Sequence, residues 1–271
     1  MIWNISPELF SLGPLHVRWY GALFALAFVC AYRMLKKMYA QDGYGFQKVD
    51  SLLWYMMIST VVGARLGHCL FYQPEIYLAD PLRIFKVWEG GLASHGAFVG
   101  IMVGIYLYTR RNKEYSPLQV MDRVVIGVAL SGFFIRLGNF FNSEIIGKPT
   151  TLPWAVTFAR DDQIPRHPAQ LYESFFYLVI FTVLYRMYWK TNARLKKGLI
   201  FGSGLIGIFS ARFILEFFKE NQELFENNWP INMGQILSIP LIFIGLYFVL
   251  TSNRRKVAVP LRTSVAKKSK R

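Results

Sequence analysis

Apolar residues in this chain are grouped in long blocks rather than in strict alternation or narrow helical stripes. Seven blocks are long enough for a helix to cross a hydrocarbon core of about 30 Å, which takes roughly 20 residues. They cover residues 17–35, 51–73, 91–109, 119–141, 171–189, 198–218 and 233–251. The pattern predicts an all-α polytopic membrane protein with seven transmembrane helices. A single membrane domain then occupies 1–251, followed by a basic tail over 252–271. Between the fourth and fifth blocks, residues 142–169 carry Pro149, Pro153, Trp154 and Pro165 and are long enough for a small cap.

The placement of charge gives this layout a direction. Of 31 Lys and Arg residues, 20 lie in the tail and in the loops after the first, third and fifth blocks. Six lie on the opposite side: Arg83, Lys86, Lys148, Arg160, Arg166 and Lys219. Basic loops stay in the cytoplasm, so the N-terminus and the cap are predicted outside and the C-terminus inside. The same placement accounts for a net charge of +15 without a nucleic-acid partner. The terminal Lys267-Lys268-Ser269-Lys270-Arg271 suits anionic lipid headgroups. Residues 1–15 lack a basic n-region, so the first block is read as a retained span. Cys30 and Cys69 fall inside blocks and read as small hydrophobes, not as a disulfide or a metal site.

Polar residues inside the blocks are the next signal. A charge at membrane depth costs at least ~2.5–3.5 kcal/mol on insertion scales, so each one calls for a function or a partner. Under the predicted topology Arg65, Arg136 and Arg212 lie in the outer halves of their spans, level with Tyr20, His95, Tyr172 and Gln235. Three arginines at one depth repel each other unless an anion joins them, and a lipid phosphate suits guanidinium forks. The alternative is neutralisation by Glu144, Glu173 and Glu216, the last at i+4 from Arg212. Arg123, beside Asp122 near the inner end, reads as a snorkelling anchor. Gly63 and Gly67, then Gly96 and Gly100, have the spacing of closely packed helices. His95 can take up a proton near neutral pH or simply bond a nearby carbonyl. His167 is expected to shape the start of the fifth span.

The densest stretch is Arg136-Leu-Gly-Asn139-Phe-Phe-Asn142-Ser-Glu144-Ile-Ile-Gly147. Together with Val17-Arg18-Trp19-Tyr20-Gly21, Gly63-Ala64-Arg65, the Gly91–Gly100 histidine segment, His167-Pro168-Ala-Gln170-Leu-Tyr172-Glu173, Arg212-Phe-Ile-Leu-Glu216-Phe217 and Gln235-Ile-Leu-Ser238-Ile-Pro240, it resembles the phosphatidylglycerol–prolipoprotein diacylglyceryl transferases. The likeness runs over roughly 14–240. Two positions depart from the family pattern. His95-Gly96-Ala97 replaces the usual His-Gly-Gly, and Ile208 and Phe209 stand where a tyrosine commonly precedes the second key arginine.

The resemblance implies an enzyme of the bacterial inner membrane that performs the first step of lipoprotein maturation. Diacylglyceryl passes from phosphatidylglycerol to the lipobox cysteine of a prolipoprotein signal peptide, forming a thioether and releasing glycerol-1-phosphate. It implies His95, Arg136 and Arg212 as catalytic residues. Tyr20, Arg65, Arg136, Asn139, Asn142, Glu144, Gly147, Gln170 and Tyr172 are the implied substrate-binding set. Gly147 is expected to permit a tight turn. No metal or cofactor is called for, because guanidinium groups can carry the electrostatic role. Two rival classes fit less well. A transporter would more often show repeated halves, and a serine hydrolase would need a better partner for His95 than the adjoining Ser94.

Overall fold

The computed structural model describes residues 1–13, 15–86, 88, 90–220 and 231–255; the side chains of Leu15, Ser94 and His95 lie outside the described set, as does most of the predicted basic tail. Every predicted apolar block falls on a long helix. These are α1 (Trp19–Gln41), α2 (Gln47–Phe71), α4 (Ser94–Arg111), α5 (Pro117–Asn142), α6 (Ala169–Lys190), α7 (Leu199–Leu215) and α8 (Met233–Leu250). A short α3 (Pro74–Ala79) lies between α2 and α4. Three helices, α5, α7 with its continuation to Phe218, and α8, are long and apolar enough to cross a membrane by length and composition alone. The other four carry more glycine, tyrosine or terminal charge, which lowers their hydropathy without shortening them.

Helix ends follow local chemistry. Ser116 caps α5 with Gln119 in a reciprocal capping box before Pro117, and Asn232 does the same for α8 with Gln235. Asp122 caps α7 from another helix, accepting from the backbone N–H of Gly198 at 2.7 Å and of Phe201 at 2.8 Å.

Five short strands gather at one end of the bundle. β1 (Ile2–Trp3) pairs in parallel with β4 (Val156–Phe158), and β4 pairs antiparallel with β5 (Pro165–Arg166), in the order β1-β4-β5. Trp3, Val156 and Phe158 bury against Phe140 at the end of α5. The 142–169 segment therefore shares its sheet with the first residues of the chain, which the sequence pattern did not suggest. β2 (Glu8–Leu12) and β3 (Leu15–Arg18) form a separate hairpin that leads into α1.

At the opposite end, Tyr39, Val49, Leu52, Ile105, Tyr108, Tyr115 and Val120 form a core shared by α1, α2, α4 and α5. Along α4 that face continues through Ile101 to Phe98, which is 57% exposed. The matching faces of α1 and α5 end in exposed Phe24, Phe28 and Val128. Thus the α2–α4 pair is buried against the body at one end, and its apolar face is exposed toward the sheet end. Glycines weld the pair itself: a Cβ at Gly67 would lie 2.8 Å from the Cα of Gly96, and Gly63, Gly96 and Gly100 have backbone in the same space.

Candidate active site

At the sheet end, α5, α6 and the residues after α7 bring a chain of alternating charges together. Arg136 Nε lies 2.8 Å from Glu173 Oε2, and Lys219 Nζ lies 3.6 Å from Glu173 Oε1 and 3.0 Å from Glu216 Oε2. Glu173, Lys219 and Glu216 are all buried. The Arg136–Glu173 contact is ionic rather than an aligned hydrogen bond, since Glu173 Oε2 accepts none. Its reach depends on small neighbours. A Cβ at Gly132 would lie 2.7 Å from the Tyr177 ring, so α5 and α6 approach closely one turn before Arg136.

Glu216 is turned away from Arg212. Its carboxyl carbon lies 2.7 Å from where a Cβ of Gly234 would stand, in the first turn of α8. A helix N-terminus favours an anion, so α8 and Lys219 together compensate Glu216. The i+4 pairing with Arg212 suggested by spacing is replaced by an i+3 pairing with Lys219. Arg212 then makes no ion pair and no side-chain hydrogen bond among the described residues. It lines a crevice with Glu173, Tyr177, Ile180, Ile208, Ala211 and Leu215. Tyr177 lies in the fields of both Arg136 and Arg212, so a phenol stands beside these arginines although position 208 is isoleucine.

The amides of the signature stretch extend the cluster. Asn139 Oδ1 accepts from Arg136 Nη1 at 3.3 Å, and its Nδ2 donates to Glu144 Oε2 at 3.0 Å. Asn142 Nδ2 donates to Glu144 Oε1 at 3.1 Å, and Gln170 Nε2 donates to the Glu144 carbonyl at 2.7 Å. Glu144 is thus held by three amides and orients them in turn. Ser143 and Ile145 on either side have φ of 57° and 58°, left-handed conformations that non-glycine residues adopt only when held. Tyr20 packs against Gly138, where a Cβ would lie 2.8 Å from its ring, placing the first turn of α1 beside Asn139.

Three expected site residues have partners of their own outside the Arg136 cluster. Arg65 is 2% exposed, and its guanidinium donates to the carbonyls of Arg83, Ile84, Lys86, Gly90 and Gly91. It fixes the segment between α2 and α4 and shares no described partner with Arg136. Tyr172 belongs to the sheet side, its hydroxyl accepting from Trp154 Nε1 at 2.7 Å and lying 3.3 Å from His167 Nδ1. Gly147 does not take a positive φ; it is small because Phe218 O would lie 2.8 Å from a Cβ and the His167 carbonyl closer still. His95 lies in the first turn of α4, and its side chain is outside the described residues.

Lys219 is the site residue that sequence reasoning missed. It counted as one more outer-loop lysine, but it is 2% exposed. Its backbone bridges Gly147, while the next residue, Glu220, pairs with Arg166 of the small sheet. Arg123 is also reassigned. It is 3% exposed and bonds Asp42 Oδ2 through Nε at 2.8 Å, which is a closed pair rather than a snorkelling anchor.

Comparison with known proteins identifies the family. The family model described as prolipoprotein diacylglyceryl transferase matches residues 7–251. A relative from Chloroherpeton thalassium named phosphatidylglycerol–prolipoprotein diacylglyceryl transferase is 48% identical, over 93% of this chain and 94% of its own. Relatives of the same name from Tolumonas auensis and Bacteroides fragilis are 48% and 41% identical, each over 94% of this chain and over 99% and 96% of their own. The chain belongs to the prolipoprotein diacylglyceryl transferase family.

Proposed function

We propose that this protein transfers diacylglyceryl from phosphatidylglycerol to the lipobox cysteine thiol of a prolipoprotein signal peptide. The observation that carries the reading is Arg212, a guanidinium with no ion pair among the described residues, beside an Arg136 whose one carboxylate is shared with Lys219. That arrangement favours a bound anion, and a phosphodiester is the anion a membrane offers to bidentate forks.

In the reaction the cysteine sulfur attacks the glyceryl carbon that bears the phosphate. The C–S bond forms as the C–O bond breaks, and the electron pair leaves on glycerol-1-phosphate. Arg136 and Arg212 stabilise that growing charge; one such contact is typically worth ~10²–10³ in rate. A free thiol has a pKa near ~8.5, so a base assists at neutral pH, and His95 takes that proton. Asn139, Asn142, Gln170 and Tyr20 orient glycerol hydroxyls or ester groups, with Glu144 holding the amides. Arg65 serves by fixing the segment that precedes α4.

We read all seven long helices as membrane spans of the bacterial inner membrane, with the N-terminus and site outside and the C-terminus in the cytoplasm. Residues 142–169 form an extracytoplasmic cap. Phe24, Phe28, Phe98 and Val128 are exposed on α1, α4 and α5, and in this reading those apolar faces meet lipid.

The test is purified protein in phosphatidylglycerol vesicles with a lipobox-cysteine peptide, followed by intact-mass spectrometry. One diacylglyceryl added on cysteine, absent with Arg136→Ala, supports the reading. No adduct from folded wild-type protein, or undiminished product with a zwitterionic lipid alone, overturns it.

A further inference from the structure

Lysine is rarely buried, and Lys219 is buried between two carboxylates supplied by different elements. An isolated ammonium there would be expelled or neutralised, so its position has to be set by what surrounds it. Three features do this. Its backbone pairs with Gly147, which fixes the strand direction and turns the side chain inward. Glu216 is already compensated by the first turn of α8, so it holds Lys219 from one side. Glu173, on α6, stands on the other side at 3.6 Å.

The consequence falls on Arg136. Glu173 presents one oxygen to Arg136 Nε and the other to Lys219. A carboxylate with a single cationic neighbour turns both oxygens onto it in a fork, which would occupy two guanidinium donors. With Lys219 in place Glu173 approaches Arg136 most closely at Nε and makes no aligned hydrogen bond to it, while Nη1 meets Asn139 and the Tyr177 phenol also contacts the guanidinium. Lys219 thereby keeps donors of Arg136 free for an incoming anion.

We infer that Lys219 is a positioning residue: it holds Glu173 so that Arg136 faces the phosphate and not its own carboxylate. The inference rests on the transferase reading above. Because Lys219 acts through Glu173, its effect should vanish when Glu173 can no longer grip a cation.

The experiment is a double-mutant cycle in the vesicle assay, with folding followed by thermal stability in detergent. Lys219→Met is expected to slow transfer about tenfold or more, within the range of coupling between contacting residues. Lys219→Arg should recover most of it. In the Glu173→Gln background the same Lys219→Met change should have little further effect, which a purely structural lysine would not produce. Should Lys219→Met fail to fold, Glu216→Gln with Lys219→Met removes the pair together and is expected to fold and transfer slowly. Wild-type rates in either Met variant overturn the inference, as does an equal loss in the Glu173→Gln background. Wild-type protein that forms no adduct overturns the transferase reading instead, which separates the two failures.

Discussion

Two ionic clusters lie at opposite ends of the same helix, α5, and they are built to different rules. Near its start, Arg123 bonds Asp42, whose carboxylate also accepts from Tyr188 at 2.8 Å and has Arg194 at 4.0 Å. Asp122 beside it is fully used by two backbone N–H groups of α7. Near its end, Arg136 shares a carboxylate with Lys219, and Arg212 has no partner among the described residues. The first cluster is saturated and joins α1, α5, α6 and α7. The second leaves one guanidinium, Arg212, without an ion pair among the described residues. Buried charge is thus handled in two ways along one helix, closed at its start and open at its end.

Breaking the saturated cluster should cost the most stability. Arg123→Ala leaves the half-buried Asp42 carboxylate with only Tyr188 and the more distant Arg194, and is expected to destabilise by up to about 3–5 kcal/mol, read as a lower melting temperature, with little change in turnover per folded molecule. Arg212→Ala should do the reverse. It removes no ion pair among the described residues, so folding should hold while transfer falls ~10²–10³, measured by the mass of the peptide product. A smaller effect is expected at the α2–α4 seam. Gly96→Ala places a methyl against the backbone of Gly63 and should cost about 1–3 kcal/mol by overpacking. A larger loss there than for Arg123→Ala would mean the seam, not the ion pair, governs stability.

The smallest effect sharpens the comparison with a third ionic group, in the sheet. The hydrogen bond from Arg166 holds the Asp162 carboxyl below the usual carboxylate range. A depressed folded pKa adds stability above the unfolded value of about 4, and that contribution is lost as pH falls through the folded value. Acid should therefore loosen the 142–169 segment, seen as faster proteolysis there. Asp162→Asn should show the same susceptibility at neutral pH.

How much of this was readable beforehand differs by the kind of signal. Hydrophobic blocks gave the long helices within a few residues, because apolar length is a local property. The Arg136-to-Gly147 stretch stood out because charge inside an apolar run is also local. Lys219 did not, since its burial requires Glu173 and Glu216 from separate elements and a backbone bridge to Gly147. The partners of Arg65 were hidden as well. An arginine at the expected depth can be fully satisfied by carbonyls of a loop whose path the sequence does not disclose. The sheet partner of residues 156–158 was hidden as well, being more than 150 residues away at the start of the chain.

The segment that ends α7 finally bears on which insertions this fold can accept. Lys219 points inward and Glu220 outward, one residue apart on extended backbone, with Gly147 paired opposite. Sliding that strand by a single residue would carry the acid into the bundle and the base onto the small sheet, reversing both signs at once. Length variation between Glu216 and Glu220 is therefore closed to drift, even though the residues there, seen one by one, look like an ordinary polar connection.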